Sequence, residues 1–122
     1  MKYLNNFEVF ETKYYRESPK STFTHNDDEY DLNKLLKLTS TEKGNRFPIK
    51  DLKWILKHTK VEKDRVEKAD ISFPILIGKD NSRWVVYDGA HRLTKSIELG
   101  NKTIKAIKVS EYLLNKCKIK NP

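Results

Sequence analysis

Asp88, Gly89, Ala90, His91 and Arg92 are consecutive, and they bring a carboxylate, a glycine, an imidazole and a guanidinium into one short stretch. Lys95 follows one helical turn after His91. These residue types suit an anion. A glycine at a helix start lets a phosphate approach the backbone, and the unpaired N–H groups and dipole of the helix favour negative charge there. His91 and Arg92 can both donate to phosphate oxygens. Asp88 can hold a metal or take a proton from a hydroxyl. Asp70, just before the strand that pairs with the Asp88 strand, is a further acidic candidate. Structural roles also account for these residues. Asp-Gly is a common turn, Asp88 can cap the helix, His91 can pack, and Asp70 can be a turn or cap residue. The Gly-rich P-loop, the G-x-G-x-x-G loop and His-Glu-x-x-His are all absent.

The elements that must position this stretch follow from local pattern. Phe73-Pro74-Ile75-Leu76-Ile77 predicts a strand with Pro74 at its start, residues 78–82 a turn, and residues 83–87 the second strand of a hairpin. Ala90, Leu93 and Ile97 at i, i+3, i+7 predict a helix over 90–99 that stops at Gly100. Alternation over Thr103–Val109 predicts a half-exposed strand whose inner face is disputed by Ile104 and Ala106 against Ile107 and Val109. Upstream, Phe47-Pro48-Ile49 is extended, and Asp51 can cap a helix bearing Leu52, Ile55 and Leu56. Residues 60–69 predict a charged helix with a thin apolar face. Phe7–Phe10 predicts a short strand, residues 16–27 a loop, and Leu32, Leu35 and Leu36 a helix beginning near Asp28. Residues 111–120 predict a terminal helix or tail.

Composition bounds the rest. The 122 residues suit one domain able to bury its own core. A single cysteine, Cys117, excludes an internal disulfide framework and a Cys-based zinc site. Cys117 reads as a bystander, and His25 and His58 as incidental. No apolar run approaches bilayer length, and the start has no signal-peptide core, so a cytoplasmic location without membrane contact is expected. The net charge of +8 is uneven: −2 over residues 1–42, +5 over 43–68, zero over 69–100 and +5 over 101–122. The basic segments suit DNA, RNA, a nucleotide or an acidic protein, or else form a solvated lysine surface. Lys outnumbers Arg 20 to 5, which weakens the nucleic-acid signal and fits an AT-rich genome.

Three segments taken together resemble the ParB/sulfiredoxin superfamily. They are Ala69–Ile77, Trp84–Leu93 with its Asp-Gly-x-His-Arg-Leu string, and Gly100 with the strand around Ile104. Phe47–Leu52 is similar to the Pro-Ile-x-x-Leu segment that opens such domains. The resemblance covers about residues 46–110. It implies a small α+β (α/β) fold with a mixed sheet and flanking helices, with residues 46–122 as the domain and 1–45 as an N-terminal extension. It also implies a nucleotide site at the Gly-x-His-Arg turn, formed by Gly89, Ala90, His91, Arg92 and Lys95. Sulfiredoxin-like members carry Cys where this chain has Ala90, so sulfinic acid reduction is not expected. ParB partition proteins show Glu-Arg-Arg at 90–92 and a following helix-turn-helix, so sliding-clamp partition is not expected either. The kinase branch adds a catalytic Glu from an N-terminal segment, where Glu8, Glu11, Glu17, Glu29 and Glu42 all qualify.

The sequence reading is therefore a nucleotide-binding, phosphotransferase-like enzyme. A nucleoside di- or triphosphate with Mg²⁺ would be its cofactor, Asp88, His91 and Asp70 its catalytic candidates, and Asp88 its metal ligand. The alternatives are a nucleic-acid-binding module using the Lys-rich segments, or a small interaction protein of a phage or other mobile element. Substrate and oligomeric state are not set by the sequence.

Overall fold

The computed structural model describes residues 22–119, which form two compact units. Residues 22–42 and 110–119 make one, and residues 43–109 the other. The terminal segment thus groups with the chain before residue 43 rather than with the sheet that follows. The strand expected at Phe7–Phe10 lies outside the described residues, as do Glu8, Glu11 and Glu17. The architecture is mixed α+β.

In the first unit, β1 (Thr22–His25) and β2 (Asp28–Asp31) form an antiparallel hairpin. This corrects the expected loop at residues 22–25, residues 16–21 lying outside the described residues, and it corrects the helix start at Asp28. The cause is the pair Asn26-Asp27, both at positive φ (51° and 67°). Asn and Asp tolerate that region, and a two-residue turn with both φ positive matches the twist of paired strands. Phe23 sits opposite Tyr30, and their rings stack at 5.3 Å. The helix α1 (Leu32–Leu38) starts after Asp31, whose carboxylate accepts from the Lys34 N–H at 3.0 Å. The acidic residues that suggested an earlier start are the strand and this cap. Leu32, Leu35 and Leu36 are buried, as their spacing requires. The helix α4 (Glu111–Lys116) is capped by the Ser110 hydroxyl, which accepts from the Leu113 N–H. The chain then runs along β2. The Asp31 N–H donates to the Cys117 carbonyl and the Ile119 N–H to the Glu29 carbonyl. Cys117 is buried, and burial pushes its thiol pKa up, as expected for an inert bystander.

The second unit carries a four-stranded sheet. Its strands are β3 (Asn45–Pro48), β4 (Ile75–Asp80), β5 (Arg83–Asp88) and β6 (Thr103–Lys108), in the order β3-β6-β4-β5. β4 pairs with β6 in parallel, and the two outer pairings are antiparallel. The β4–β5 hairpin is longer than expected at the turn. Gly78, Lys79 and Asp80 continue the ladder, and only Asn81-Ser82 turns, with Asn81 at φ 57°. Residues 73 and 74 precede the strand. Gly78 has no side chain because the Tyr87 ring lies where its Cβ would be.

One core joins Phe47, Ile49, Leu52, Ile75, Ile77, Leu93, Ile104 and Ala106. Leu76, Val85 and Ile107 are buried as well, so β6 has no single inner face and both sides of the dispute over Ile104 and Ile107 are inside. The helix expected after Asp51 is instead two 3₁₀ turns, Ile49–Asp51 and Lys53–Lys57. Ile49, Leu52 and Ile55 recur every three residues, the 3₁₀ period, and all three join this core. Asp51 lies within the first of these turns and does not cap a helix. The helix α2 (Lys63–Lys68) buries only Val66, and α3 (Ala90–Glu98) begins directly after β5. Gly100, at φ 80°, follows the end of α3.

Candidate functional site

The turn between β5 and α3 depends on Gly89. Its φ is 118°, in the left-handed half of the map that side-chain-bearing residues rarely enter. A Cβ there would also run into the Ile75 side chain. The Leu93 N–H donates to the Gly89 carbonyl at 2.9 Å, the first hydrogen bond of α3. No side chain caps this end. Among the described residues, the backbone N–H groups of Ala90 and His91 meet no acceptor and stand at the positive end of the helix.

Asp88 and Arg92 are not separate functional heads. The Arg92 guanidinium donates to Asp88 Oδ2 at 2.8 Å, and both side chains are largely buried, 6% and 15% exposed. The i,i+4 spacing across the strand-to-helix turn makes the pair. It locks the strand end to the first turn of α3. Arg92, expected to hold phosphate, has its charge already engaged by a carboxylate.

His91 is also held. Its Nε2 accepts from the Glu62 N–H at 3.2 Å, which leaves the ring proton on Nδ1. Burial holds its pKa below the ordinary histidine value, and Arg65 pushes the same way, against Glu62 and Asp88. His91 is thus a donor through a neutral ring near pH 7.

Lys95 is turned to another task. Its ammonium donates to the carbonyls of Glu67 and Ala69, each at 2.8 Å, at the C-terminal end of α2. This places it as a cap on α2 rather than a phosphate ligand. Asp70 is a turn residue. Its Oδ1 accepts from the Ser72 N–H at 2.9 Å and from the Ser72 hydroxyl at 2.6 Å. Those bonds hold its carboxyl below the usual range, helped by the nearby charges of Lys95 and Arg92. Asp70, Asp88, His91, Arg92 and Lys95 therefore do gather at one place, each bonded within the protein.

Glu62 and Arg65, at the start of α2, complete the surroundings of His91. Sequence reasoning missed them because the Glu62–His91 contact spans 29 residues and uses a backbone N–H. Glu29 and Glu42, two expected candidates for a catalytic glutamate, belong to the first unit. No protein-family model and no curated protein matches the chain. No helix among the described residues is long and apolar enough to cross a membrane.

Proposed function

We propose that the chain binds the phosphates of a nucleotide at the Gly89–Arg92 turn and serves phosphoryl transfer there. The observation that carries this reading is Gly89 at φ 118°, opening α3 with the Ala90 and His91 N–H groups unmet by any described acceptor. Those two N–H groups and the His91 Nδ1–H grip the phosphate oxygens. Arg92 adds its charge from behind, fixed in place by Asp88. The Asp-Gly-x-His-Arg-Leu string supports the same assignment. Its resemblance to the ParB/sulfiredoxin superfamily suggests the nucleotide and the transfer chemistry. ATP, ADP and CTP are the candidates. In this reading Asp88 accepts the hydroxyl proton in the transfer step, and it does so as the partner of Arg92.

Mg²⁺ at Asp88 does not fit the geometry. The Asp88 Oδ2 already accepts from a guanidinium at 2.8 Å, and a dication there would lie against that positive charge. Asp70 is equally engaged with Ser72. No step is assigned to a metal.

Ala90→Asp tests the phosphate grip without dismantling the site. A carboxylate in the first turn favours the helix dipole by about 0.3–1 kcal/mol. The same carboxylate competes with a phosphate for the N–H groups. Calorimetric titration with ATP, ADP and CTP should show binding to the wild-type protein and a loss of about tenfold or more in the variant, with the melting temperature kept. Absence of wild-type binding to all three nucleotides at millimolar concentration overturns the reading.

A further inference from the structure

At the opposite end of β5 from the turn, the second unit gathers cations around aromatic rings. Arg83 lies 3.9 Å from the centre of the Trp54 ring. The ammonium groups of Lys79 and Lys108 each lie 5.3 Å from the centre of the Trp84 ring, and Lys108 is also 5.7 Å from that of Phe47. The rings are fixed. Trp54 Nε1 donates to the Trp84 carbonyl at 3.0 Å, and Phe47 meets Trp84 edge to face at 5.0 Å. Both tryptophans are half-buried, while Lys79, Arg83 and Lys108 are exposed. Lys53 and Lys57 are exposed on the 3₁₀ turn that carries Trp54.

None of Lys79, Arg83 and Lys108 forms an ion pair among the described residues. Three like charges therefore stand against these rings outside any ion pair among the described residues, two of them on one indole. The ring quadrupoles offset part of the repulsion. The rest favours an arriving anion. A single phosphate would answer one cation and leave the other two.

We infer that this end of the sheet binds a single-stranded nucleic acid, its phosphates on Lys79, Arg83 and Lys108 and its bases against Trp54 and Trp84. Such strands supply both requirements at once, charge at each phosphate and a stacking face at each base. An acidic peptide meets the charges alone. A duplex hides its base faces. The site is independent of the nucleotide reading: Trp84 and Asp88 stand four residues apart on one strand, about 13 Å.

The chain has two tryptophans, Trp54 and Trp84, so their fluorescence reports on this surface alone. Titration with an oligothymidylate lacking terminal phosphates should quench it, with affinity falling steeply as salt rises. In the variant Lys79→Gln/Arg83→Gln/Lys108→Gln, the salt slope should fall by about 2, at about 0.7 for each phosphate no longer neutralised. A charge-matched control, Lys34→Gln/Lys37→Gln/Lys63→Gln, should keep the wild-type slope. No quenching at low salt overturns the proposal, as does equal loss in both variants, which would mean bulk charge. Binding of polyglutamate as tightly as the oligonucleotide, or tighter binding of a duplex of the same length, also overturns it. The three wild-type titrations decide the matter even where the variant folds poorly.

Discussion

At the scale of single residues, the site depends on groups held in one charge state. His91 accepts from a backbone N–H through Nε2, which requires a neutral ring, and burial holds its pKa below the value it has in the unfolded chain. The sign follows from proton counting. Between the lowered folded pKa and about 6.5, the unfolded state binds more protons, so stability rises with pH across that window. This contribution is fully present above about pH 6.5 and is lost as pH falls through the folded value. Melting temperatures from about pH 7.5 down to about pH 5 should show this decline. His91→Asn should flatten it, since an amide oxygen can accept from the Glu62 N–H without titrating; an unchanged slope in that variant contradicts the assignment. Arg92 is a different case. Removing one partner of a largely buried ion pair leaves the other uncompensated, so Arg92→Ala should cost about 3–5 kcal/mol in denaturant unfolding. Asp88→Asn should destabilise less, because an amide oxygen still accepts from the guanidinium.

At the scale of elements, the strand, turn and helix around the site were legible because each has its own local signal. β4 and β5 carry short runs of apolar residues on either side of a turn, Leu93 and Ile97 keep the helical period, and the Asp-Gly pair marks the junction. The hairpin over 22–31 was not legible. Its turn is Asn26-Asp27 rather than the Asn-Gly or Asp-Gly of the strongest hairpin signals, and the acids of β2 imitate a helix start. The 3₁₀ turns were hidden because Leu52, Ile55 and Leu56 satisfy a helical period while Ile49, Leu52 and Ile55 satisfy a three-residue one. The composition of the site was visible in the sequence, but the partners of its members were not. Lys95 looked like a phosphate ligand because its acceptors are 26 and 28 residues away on another element. Its place at the end of α2 makes a separate forecast. Lys95→Met keeps the aliphatic stem and removes two charge-assisted bonds at a partly exposed position, which should cost about 1–2 kcal/mol. Nucleotide affinity should stay within about twofold. A large loss of affinity at unchanged melting temperature would return Lys95 to the phosphate.

At the scale of the whole molecule, the net charge of +8 sets how every anion is received. Exposed ion pairs among the described residues, such as Lys118–Asp28 at 3.3 Å and Arg65–Glu62 at 4.0 Å, contribute little. Most lysines therefore repel one another, and screening them should stabilise the fold. Raising sodium chloride from about 20 mM to about 200 mM shortens the Debye length from about 20 Å to below 10 Å and should raise the melting temperature. Phosphate at the same ionic strength should raise it further, for two separable reasons. Phosphate is excluded from protein surface and strengthens burial everywhere. A bound phosphate also stabilises by mass action, about 2.7 kcal/mol at a hundredfold excess over its dissociation constant. Only the second contribution passes through the Ala90 and His91 N–H groups. In the Ala90→Asp variant the chloride response and the exclusion effect should persist, while the extra gain in phosphate over chloride shrinks. Equal phosphate gains in wild type and variant would place the stabilisation on the general surface and leave the turn without a ligand.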